Sequence, residues 1–467
     1  MHTTTFLTQR SFLQQPHDTY LKDLNINCSK YSRAYKGHSG CVNALSLNEK
    51  NSLMASGGDD KTVFLWRTTM DVESAAPIAK FKGHESNIFS IEFDSSAKRL
   101  FSCGNDGLIL QYDLTSAAVY SKTTLASDVA LGHSSAILKL SVCPNQDSIF
   151  LTAGQDGEIR LWDNRTDDYT NHIETQTGQN SVSFHPTQPH LFLSTDRSGG
   201  IYLRDLRFCF SQNSLYVRKY NTRLYNGSSG RRSVPLDIPS AVWSPDGKRL
   251  GAIINCYKPT IYTLDDPDPI CILDASTYKS LSTIKTGAWD ASSTYFYSGS
   301  DDFHAYGWKI PMDKELLSKQ KTSPTFDGIC FKKDTECVQP LVIDAPSITL
   351  GTHRSIVNTV VCHQYYPMVY TAGVEKLIRQ FSSSPFPLDP ERVSSTLGRR
   401  RCENPSRLLG LSMLLSGRMD EEDDSIEESA STLAFFDILQ STDERDLSIW
   451  MDESSDEEEA RKRSRLE

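Results

Sequence analysis

The stretch that decides the fold is GHSGCVNALSLNEKNSLMASGGDDKTVFLW, residues 37–66. It begins with Gly37-His38 and then places Ser56, Asp60 and Trp66 at increasing distances from the histidine. The residues between these positions alternate between apolar and polar side chains over short runs, which is typical of strands rather than helices. The stretch therefore predicts a small β-sheet whose turns carry a histidine and an aspartate.

The same unit recurs, and its successive histidines lie 46 and then 49 positions apart. The clear second and third copies contain Gly83-His84, Ser102, Asp106 and Tyr112, then Gly132-His133, Thr152, Asp156 and Trp162. Weaker copies follow at Ser194, Ser198 and Arg204, at 240–265, at Ser298, Asp302 and Trp308, and at Thr352-His353, Thr371, Glu375 and Phe381. This period is close to that of four-stranded WD40 propeller blades. The sequence predicts an all-β protein, a seven-bladed WD40 propeller over residues 28–383.

The recurring side chains have a structural explanation. In a WD40 blade the histidine, hydroxyl, aspartate and tryptophan form a buried hydrogen-bonded tetrad, and a buried polar group without a partner costs about 1–3 kcal/mol. The members should therefore be kept or lost together, as in the fourth copy. A catalytic His/Asp/Ser triad is the alternative reading, but the sets repeat and no nucleophile elbow accompanies them. We expect no enzymatic activity, no cofactor and no metal.

Both termini extend beyond the predicted propeller. Tyr31–Lys36 is expected to close the ring as the outer strand of the last blade. Residues 1–27 contain Phe6, Leu7 and further apolar positions that predict a short helical arm, which either docks into a partner or packs on the propeller itself. Residues 384–467 form an acidic tail that we expect to be largely disordered, with a short aromatic motif near 433–450.

Charge, hydropathy and cysteine content indicate which broad classes of protein this chain does not belong to. The chain has 467 residues and a net charge of −10, and residues 384–467 with 21 acidic and 11 basic side chains account for all of it. A general nucleic-acid binder is therefore not expected. No apolar run is long enough to span a membrane. The 11 cysteines are scattered and read as free thiols, which favours an intracellular protein of the nucleus or cytoplasm.

Four groups of residues exceed what a propeller needs. Trp162-Asp163-Asn164-Arg165 and Arg204-Asp205-Leu206-Arg207 place an arginine at one rim of consecutive blades, which suits carboxylates or carbonyls of a partner, although such boxes also arise by drift. A basic and aromatic insertion at 209–235 is a possible ligand loop or a solvated loop. A basic cluster at 461–465 is a candidate nuclear-import signal. The remaining residues of interest are Arg218, Lys219, Arg231 and Arg232 in the insertion and the phosphorylation candidates Ser425, Ser454 and Ser455.

The chain resembles the WD40 substrate receptors of cullin-4 ubiquitin ligases, the damaged-DNA-binding-protein-1 and cullin-4 associated factors. The resemblance is carried by GHSGCVNAL and SGGDDKTVFLW in the first copy, by SGSDDFHAYGW at 298–308, and by the aromatic motif Ala434-Phe435-Phe436-Asp437 followed by Trp450. It also includes the Phe6–Arg10 stretch. The resemblance covers most of the chain and is weak over 209–290 and 311–348.

The resemblance implies a function and a set of contacts. Asp163, Arg165, Asp205 and Arg207 would bind the adaptor, damaged-DNA-binding protein 1, and the arm with Phe6 and Leu7 would insert into it. The protein would then be a non-catalytic receptor, present as a single copy, that bridges the adaptor and cullin-4 to an unknown protein substrate. The alternative is a WD40 scaffold for a nuclear or chromatin assembly that has no role in ubiquitination.

Overall fold

Thirty-three strands form the regular structure of the described residues. The structure, a computed structural model, describes residues 31–382 except for 49–51, 69–75, 115–120, 125–131, 167, 211–215, 227–235, 312–320, 324–328, 334–335 and 367. The predicted arm (1–27), the tail (384–467) and every candidate residue within them lie outside this part. All regular elements of the described part are strands. This part of the chain contains no helix that is long and apolar enough to cross a membrane.

The first four blades follow one another along the chain, each as a four-stranded antiparallel sheet in sequence order. Blade 1 contains β2 (Val42–Asn48), β3 (Leu53–Gly58), β4 (Thr62–Arg67) and β5 (Ala79–Lys82). Blade 2 contains β6 (Ile88–Phe93), β7 (Arg99–Gly104), β8 (Ile109–Asp113) and β9 (Ser121–Thr124). Blade 3 contains β10 (Ile137–Val142), β11 (Ile149–Gly154), β12 (Glu158–Asp163) and β13 (Tyr169–Glu174). Blade 4 contains β14 (Gln179–Phe184), β15 (Leu191–Asp196), β16 (Ile201–Asp205) and β17 (Arg218–Lys219).

The last three blades recruit strands from distant parts of the chain. Blade 5 contains β19 (Ser240–Trp243), β20 (Arg249–Ile253), β21 (Thr260–Thr263), β22 (Pro269–Leu273) and the parallel fifth strand β29 (Leu341–Ile343). Blade 6 contains β23 (Gly287–Trp289), β24 (Tyr295–Gly299), β25 (Ala305–Lys309) and β30 (Ile348–Leu350). Blade 7 contains β31 (Val357–Cys362), β32 (Met368–Gly373), β33 (Leu377–Ser382) and β1 (Tyr31–Lys36). The prediction of a seven-bladed all-β propeller is confirmed.

The ring closes through the first strand of the described chain. β1 pairs antiparallel with β33 over its whole length, from Tyr31 opposite Ser382 to Lys36 opposite Leu377. The closing strand predicted from the sequence is therefore present. Because the last blade is completed by the other end of the propeller sequence, opening the ring requires the separation of a full strand pair, and β33 is not left as an unpaired edge.

The hydrophobic core lies between neighbouring blades. Leu65 of blade 1 belongs to the same buried cluster as Ile91, Leu100 and Tyr112 of blade 2, and all four are almost fully buried. Each middle strand is buried on both faces because it has a neighbouring blade on either side. This explains why β3, β7 and β11 are nearly continuous runs of buried residues and not simple alternations.

Two long insertions, one before blade 5 and one after the third strand of blade 6, contain strands that the sequence does not predict. Backbone pairing joins β18 (Leu224–Asn226), β26 (Lys321–Ser323), β27 (Ile329–Lys333) and β28 (Glu336–Gln339) in a separate four-stranded sheet. Phe331 of this sheet is fully buried and packs with Ile272 of blade 5. The two insertions thus pair with each other, a long-range contact that neither segment's own sequence indicates.

The propeller has two distinct ends. The register places the start of each first strand beside the end of the second and the start of the third, as with Val42, Gly58 and Thr62 in blade 1. We call this the histidine end, since the tetrad histidines and aspartates lie in the loops there. At the opposite end, the box end, β12 finishes with Asp163 and β16 with Asp205. Tyr31 and Ser382 also pair at the box end.

Candidate functional site

The tetrads of blades 1 and 3 have nearly the same geometry. In blade 1, His38 Nδ1 lies 2.8 Å from an Asp60 oxygen and His38 Nε2 lies 2.6 Å from Ser56 Oγ, to which Trp66 Nε1 donates at 2.8 Å. In blade 3, the corresponding distances for His133, Asp156, Thr152 and Trp162 are 2.9, 2.8 and 2.8 Å. The histidine rings and hydroxyls are buried. This arrangement leaves no free nucleophile, because each hydroxyl is held between an imidazole and an indole.

Blade 2 uses a tyrosine in place of the tryptophan. His84 Nδ1 lies 2.9 Å from Asp106 and His84 Nε2 lies 2.7 Å from Ser102 Oγ, while the hydroxyls of Ser102 and Tyr112 are 3.2 Å apart. Burial raises the pKa of Asp106, but the hydrogen bond and charge of His84, together with the backbone hydrogen bonds of Glu85 and Leu108, outweigh it, so that the pKa lies below its ordinary value. The tetrad aspartates of blades 2 and 3 precede Gly107 and Gly157, whose φ angles of 72° and 89° favour glycine.

Blade 7 forms a variant of the tetrad that is reinforced by an arginine. His353 lies 2.9 Å from Glu375 and 2.5 Å from Thr371 Oγ1, and Arg379 donates two hydrogen bonds to Glu375, at 3.2 and 2.7 Å. Phe381 occupies the tryptophan position without a polar partner. Burial raises the pKa of Glu375, but His353 and Arg379 together hold it at about 2. Burial lowers the pKa of His353.

Blade 4 keeps the hydroxyl and replaces its donor. Arg204 Nε donates a 2.8 Å hydrogen bond to Ser194 Oγ, and both side chains are buried. Arg204 therefore takes the position that Trp66 and Trp162 occupy in their blades. Its guanidinium also lies 5.1 Å from the centre of the Tyr202 ring. The loss of histidine and tryptophan in this blade thus did not leave Ser194 unsatisfied.

Blade 6 contradicts the tetrad predicted from Ser298, Asp302 and Trp308. Trp308 Nε1 donates to the backbone oxygen of Asp274 at 2.7 Å, not to Ser298. The hydroxyl of Ser298 instead lies 3.0 Å from that of Tyr278, and Tyr306 donates to Asp302 at 2.5 Å. The physical reason is that Tyr278 occupies the space where other blades have a histidine. The three residues share a blade and are buried, but they do not form one network.

The two boxes at the box end share a second geometry. Asp163 accepts hydrogen bonds from Arg165 Nε at 2.9 Å and from its Nη2 at 2.5 Å, and Asp205 accepts from the same atoms of Arg207 at 2.9 and 2.6 Å. The guanidinium beside each carboxylate holds the pKa of Asp163 and Asp205 below their ordinary values. The arginine side chains remain 71% and 60% exposed. Each box thus presents a guanidinium that is fixed on one edge and open on the other.

An exposed apolar patch adjoins the second box. Phe208, Tyr216 and Val217 are all exposed, and Phe208 packs under the Arg207 guanidinium at 5.4 Å. The backbone of Val217 donates to Leu203 at 2.7 Å, which holds this segment along the outer side of β16. Sequence reasoning missed this patch, because exposed residues in an insertion carry no periodic signal. The one sign of the patch in the sequence is that Phe208 directly follows Arg207 of the second box.

The predicted ligand loop is in part a strand. Arg218 and Lys219 form β17, the outer strand of blade 4, rather than a loop, because residues 218–219 pair with Leu203 and Tyr202. Arg218 donates to the backbone oxygen of Leu264, and the Lys219 ammonium lies 5.1 Å from the Tyr202 ring centre. The other candidates lie outside the described residues: Phe6, Leu7, Arg231, Arg232, Ser425, Ser454 and Ser455.

One cluster has metal-ligating residue types. His133, Asp156 and Glu158 place ligand atoms within 4.8 Å of one another. The same atoms are engaged in hydrogen bonds, since Asp156 faces the His133 ring and Glu158 accepts from Arg160 Nε at 2.7 Å. The cluster is accounted for by the blade 3 tetrad and its neighbouring ion pair.

Known proteins match this chain over three of its repeats and over most of its length. The family WD domain, G-beta repeat matches residues 29–67, 75–113 and 126–163. The DDB1- and CUL4-associated factor 5 proteins of Mus musculus and Homo sapiens are each 28% identical to it over 468 aligned residues. That alignment covers 96% of this chain and 44% of each relative, so the chain spans less than half of their length.

A shorter match reaches a protein with a different name. The methylosome protein WDR77 of Xenopus laevis is 29% identical over 216 residues, which is 44% of this chain and 62% of that protein. The repeat matches, the seven blades and the tetrads agree with one another. The chain therefore carries WD40 repeats within a seven-bladed propeller, and it is similar over nearly its whole length to the DDB1- and CUL4-associated factor 5 proteins.

Proposed function

We propose that this protein is a non-catalytic substrate receptor of a cullin-4 RING ubiquitin ligase. It would bind the adaptor, damaged-DNA-binding protein 1, through its box end and hold a protein substrate elsewhere on the propeller, inside the nucleus or cytoplasm. Ubiquitin transfer would then follow from the raised local concentration of substrate lysines near the ligase. The observation that carries the proposal is the pair of Asp-x-Arg forks on adjacent blades of a chain similar to DDB1- and CUL4-associated factor 5.

The geometry of the forks supports a protein contact. Asp163 and Asp205 fix the orientation of Arg165 and Arg207, so that little side-chain freedom is lost when a partner carbonyl or carboxylate accepts from the open edge. Arginine and aromatic side chains are the groups that most often dominate the binding energy of an interface. Phe208, beside Arg207, supplies an exposed aromatic ring at the same place. The two arginines would orient the partner through directed hydrogen bonds, and the apolar patch would add buried apolar area to the contact.

The position of the termini is consistent with the same contact. The described chain begins at Tyr31, which pairs with Ser382 at the box end. Residues 1–30 therefore join the propeller at the end that carries both arginine boxes. An arm that inserts into the adaptor, with Phe6 and Leu7 as apolar anchors, would reinforce the contact made by the rim.

Co-elution with recombinant damaged-DNA-binding protein 1 tests the proposal. The full chain should co-elute, while Arg165→Asp/Arg207→Asp should not, and removal of residues 1–27 should weaken the complex. Arg67→Asp/Lys309→Asp is the matched control, because these exposed cations end the third strands of blades 1 and 6. Equal thermal stability of all forms would show that the variants fold. Failure of the intact chain to bind, or retention by the double box variant, would overturn the proposal.

One observation favours a second function, that of a scaffold in a nuclear or chromatin assembly. A methylosome protein is among the relatives, although it matches less than half of this chain. A scaffold would need no adaptor, so the co-elution experiment also separates the two functions. We place the receptor function first because the similarity to DDB1- and CUL4-associated factor 5 extends along 96% of the chain.

A further inference from the structure

Two neighbouring blades carry pairs of lysines on the outer side of the propeller. The outer strands of blades 1 and 7 end at Lys82 and Lys36, and the residue after the tetrad acid is Lys61 in blade 1 and Lys376 in blade 7. In the register, each outer-strand lysine lies opposite the residue that follows the turn lysine of its blade, so the two lysines of a blade are neighbours. We call these four residues the basic corner.

The other two blades with a histidine tetrad have different residues at these positions. Gly107 and Gly157 follow the tetrad aspartates of blades 2 and 3, and the outer strands of these blades end at Thr124 and Glu174. The lysine pairs are therefore not a requirement of the blade itself. Lys61 even has a φ angle of 60°, in the left-handed region where blades 2 and 3 have glycine. The lysine thus lies there at a local cost in stability.

The protein's own carboxylates do not neutralise the basic corner. Lys36, Lys61 and Lys82 are exposed, and within the described part of the chain none of the three forms an ion pair. The tetrad acids of the same turns, Asp60 and Glu375, are hydrogen-bonded to their histidines. Like charges held side by side favour a polyanion that contacts several of them at once.

Two further carboxylates lie in these loops. Asp59 accepts a 2.7 Å hydrogen bond from Asn43 of the first strand, on the side of the turn that faces the central channel. Glu85 follows the tetrad histidine at the start of blade 2. The basic corner lies on the outer strands and turns, whereas the first strands line the channel. Its outer side therefore presents three exposed ammonium groups.

An acidic stretch of matching charge is present in the same chain. Residues 420–428 contain seven carboxylates in nine residues, and no lysine or arginine occurs between Arg418 and Arg445. The second acidic stretch, 452–459, is followed by four cations at 461–465 that offset its charge. The first stretch is therefore the better complement of a cationic surface.

The tail is long enough to bring this stretch to the basic corner. Ser382, the last described residue, pairs with Tyr31 at the box end, and Lys36 lies at the other end of the same six-residue strand. Such a strand spans about 20 Å. Asp420 lies 38 positions after Ser382, and a random coil of that length has an r.m.s. end-to-end distance of about 30–40 Å. A tethered segment of suitable reach has an effective concentration in the millimolar range.

We propose that residues 420–428 dock on the basic corner of the same molecule, where their carboxylates pair with Lys36, Lys61 and Lys82. The contact would cover the outer side of blades 7 and 1 and leave the boxes of blades 3 and 4 open. It needs neither the adaptor nor a substrate, so it fails separately from the proposed function. A nucleic acid is the competing occupant, which a tethered segment at high effective concentration would exclude.

Zero-length cross-linking of the full chain tests the contact directly. A carbodiimide joins a lysine amine to a carboxylate only where the two groups meet, and mass spectrometry of the monomer identifies the pairs. The three exposed lysines of the basic corner should cross-link to 420–428, and about 0.5 M salt should lower the yield several-fold. Lys309 is the control, because it is exposed at the same end of the propeller as Ser382. Tail cross-links to Lys309 as frequent as those to the basic corner would overturn the proposal.

Fluorescence anisotropy with a fluorescein-labelled peptide of residues 418–430 tests competition by the tail. A full-length variant with amides in place of the seven carboxylates should bind the peptide. The unmodified chain should bind it at least about tenfold more weakly, because its own tail occupies the basic corner. In the amide variant, binding should be lost on Lys36→Glu/Lys61→Glu/Lys82→Glu. It should persist on charge reversal of three exposed lysines at the box end, Lys98, Lys248 and Lys309.

Lys61→Gly separates docking from folding. Glycine relieves the left-handed conformation, so this substitution should leave the unfolding temperature equal or higher, yet it should weaken peptide binding by the amide variant several-fold. A single-stranded oligothymidylate of about twelve nucleotides is the competing probe. Absence of cross-links to the basic corner, equal peptide binding by the unmodified chain and the amide variant, or equal binding of the oligonucleotide by both would overturn the proposal.

Discussion

Arg204 Nε lies 2.8 Å from Ser194 Oγ, in the position where Trp66 Nε1 lies 2.8 Å from Ser56 Oγ. A charged donor thus replaces a neutral one in the interior of blade 4, and burial lowers the pKa of the guanidinium. The substitution keeps Ser194 hydrogen-bonded where the blade has no tryptophan. It also places a large polar side chain directly before Asp205, the first residue of the second arginine fork.

The first prediction concerns Arg204. Arg204→Ala should lower the free energy of unfolding by about 2–4 kcal/mol, because it leaves a void and removes the donor to Ser194. Arg204→Trp should be more stable than Arg204→Ala, since the indole can donate to Ser194 as in blades 1 and 3. Chemical denaturation of the three proteins measures both differences. Arg197→Ala, at an exposed position of the same blade, is the control and should change stability little; an Arg204→Ala protein as stable as this control would contradict the account.

The second prediction follows from Glu375. Its pKa of about 2 in the folded protein lies below the ordinary value of 4.5, so the folded state favours the ionised form. The resulting stabilisation is present above about pH 4.5, amounts to about 3 kcal/mol at most, and is lost as the pH falls toward 2. Glu375→Gln should therefore destabilise the protein at pH 7, and the difference from the unmodified protein should shrink between pH 5 and pH 3.

Urea denaturation at pH 7, 5, 4 and 3 measures this dependence. Glu158→Gln provides a control, because Glu158 is a more exposed carboxylate paired with Arg160 in blade 3. Its difference from the unmodified protein should stay small at each pH. A constant effect of Glu375→Gln across the range would show that its carboxylate is not linked to folding through proton uptake.

The third prediction separates the two roles of the box aspartates. Asp163→Asn and Asp205→Asn should change the free energy of unfolding by less than about 1 kcal/mol, since each pair includes an exposed arginine. They should nevertheless weaken adaptor binding several-fold, because Arg165 and Arg207 lose the charged partner that orients them. Isothermal titration calorimetry with damaged-DNA-binding protein 1, beside thermal unfolding, gives both values. Unchanged affinity in folded variants would mean that fork orientation does not matter.

The fourth prediction tests the network in blade 6. Tyr278→Phe and Ser298→Ala should each cost about 1 kcal/mol, and the double variant should cost less than their sum because the two hydroxyls share one hydrogen bond. Trp308→Phe should be additive with Ser298→Ala, since Trp308 donates to the backbone oxygen of Asp274. Coupling between Ser298 and Trp308, measured by the same double-mutant cycle, would restore the tetrad that the sequence predicted.

The sequence allows strong prediction where a residue type and its spacing jointly imply one contact. His38, Ser56, Asp60 and Trp66 could be placed together because the same set recurs in blades 2 and 3. The closing strand could be predicted because Tyr31–Lys36 precedes the first Gly-His and belongs to no earlier copy. It is therefore available as the outer strand of the last blade. These inferences rest on local order along the chain, which a repeat protein preserves in space.

Prediction failed where a different type of residue makes the contact. Tyr278 lies 20 residues before Ser298, close to the 19 residues that separate His133 from Thr152, but a search for a histidine passes over a tyrosine. The sheet of β18, β26, β27 and β28 joins segments about a hundred residues apart, and no local pattern shows this.

Hydrogen exchange of the full chain, with and without damaged-DNA-binding protein 1, tests the central claim most directly. The account predicts slower exchange on binding at 163–166, 205–210 and 216–219, and unchanged exchange at 41–44, 87–90 and 283–286 at the histidine end. That outcome would place the adaptor at the box end and leave the histidine end open for a substrate. Protection at the histidine end without protection after β12 and β16, or no change anywhere, would contradict it.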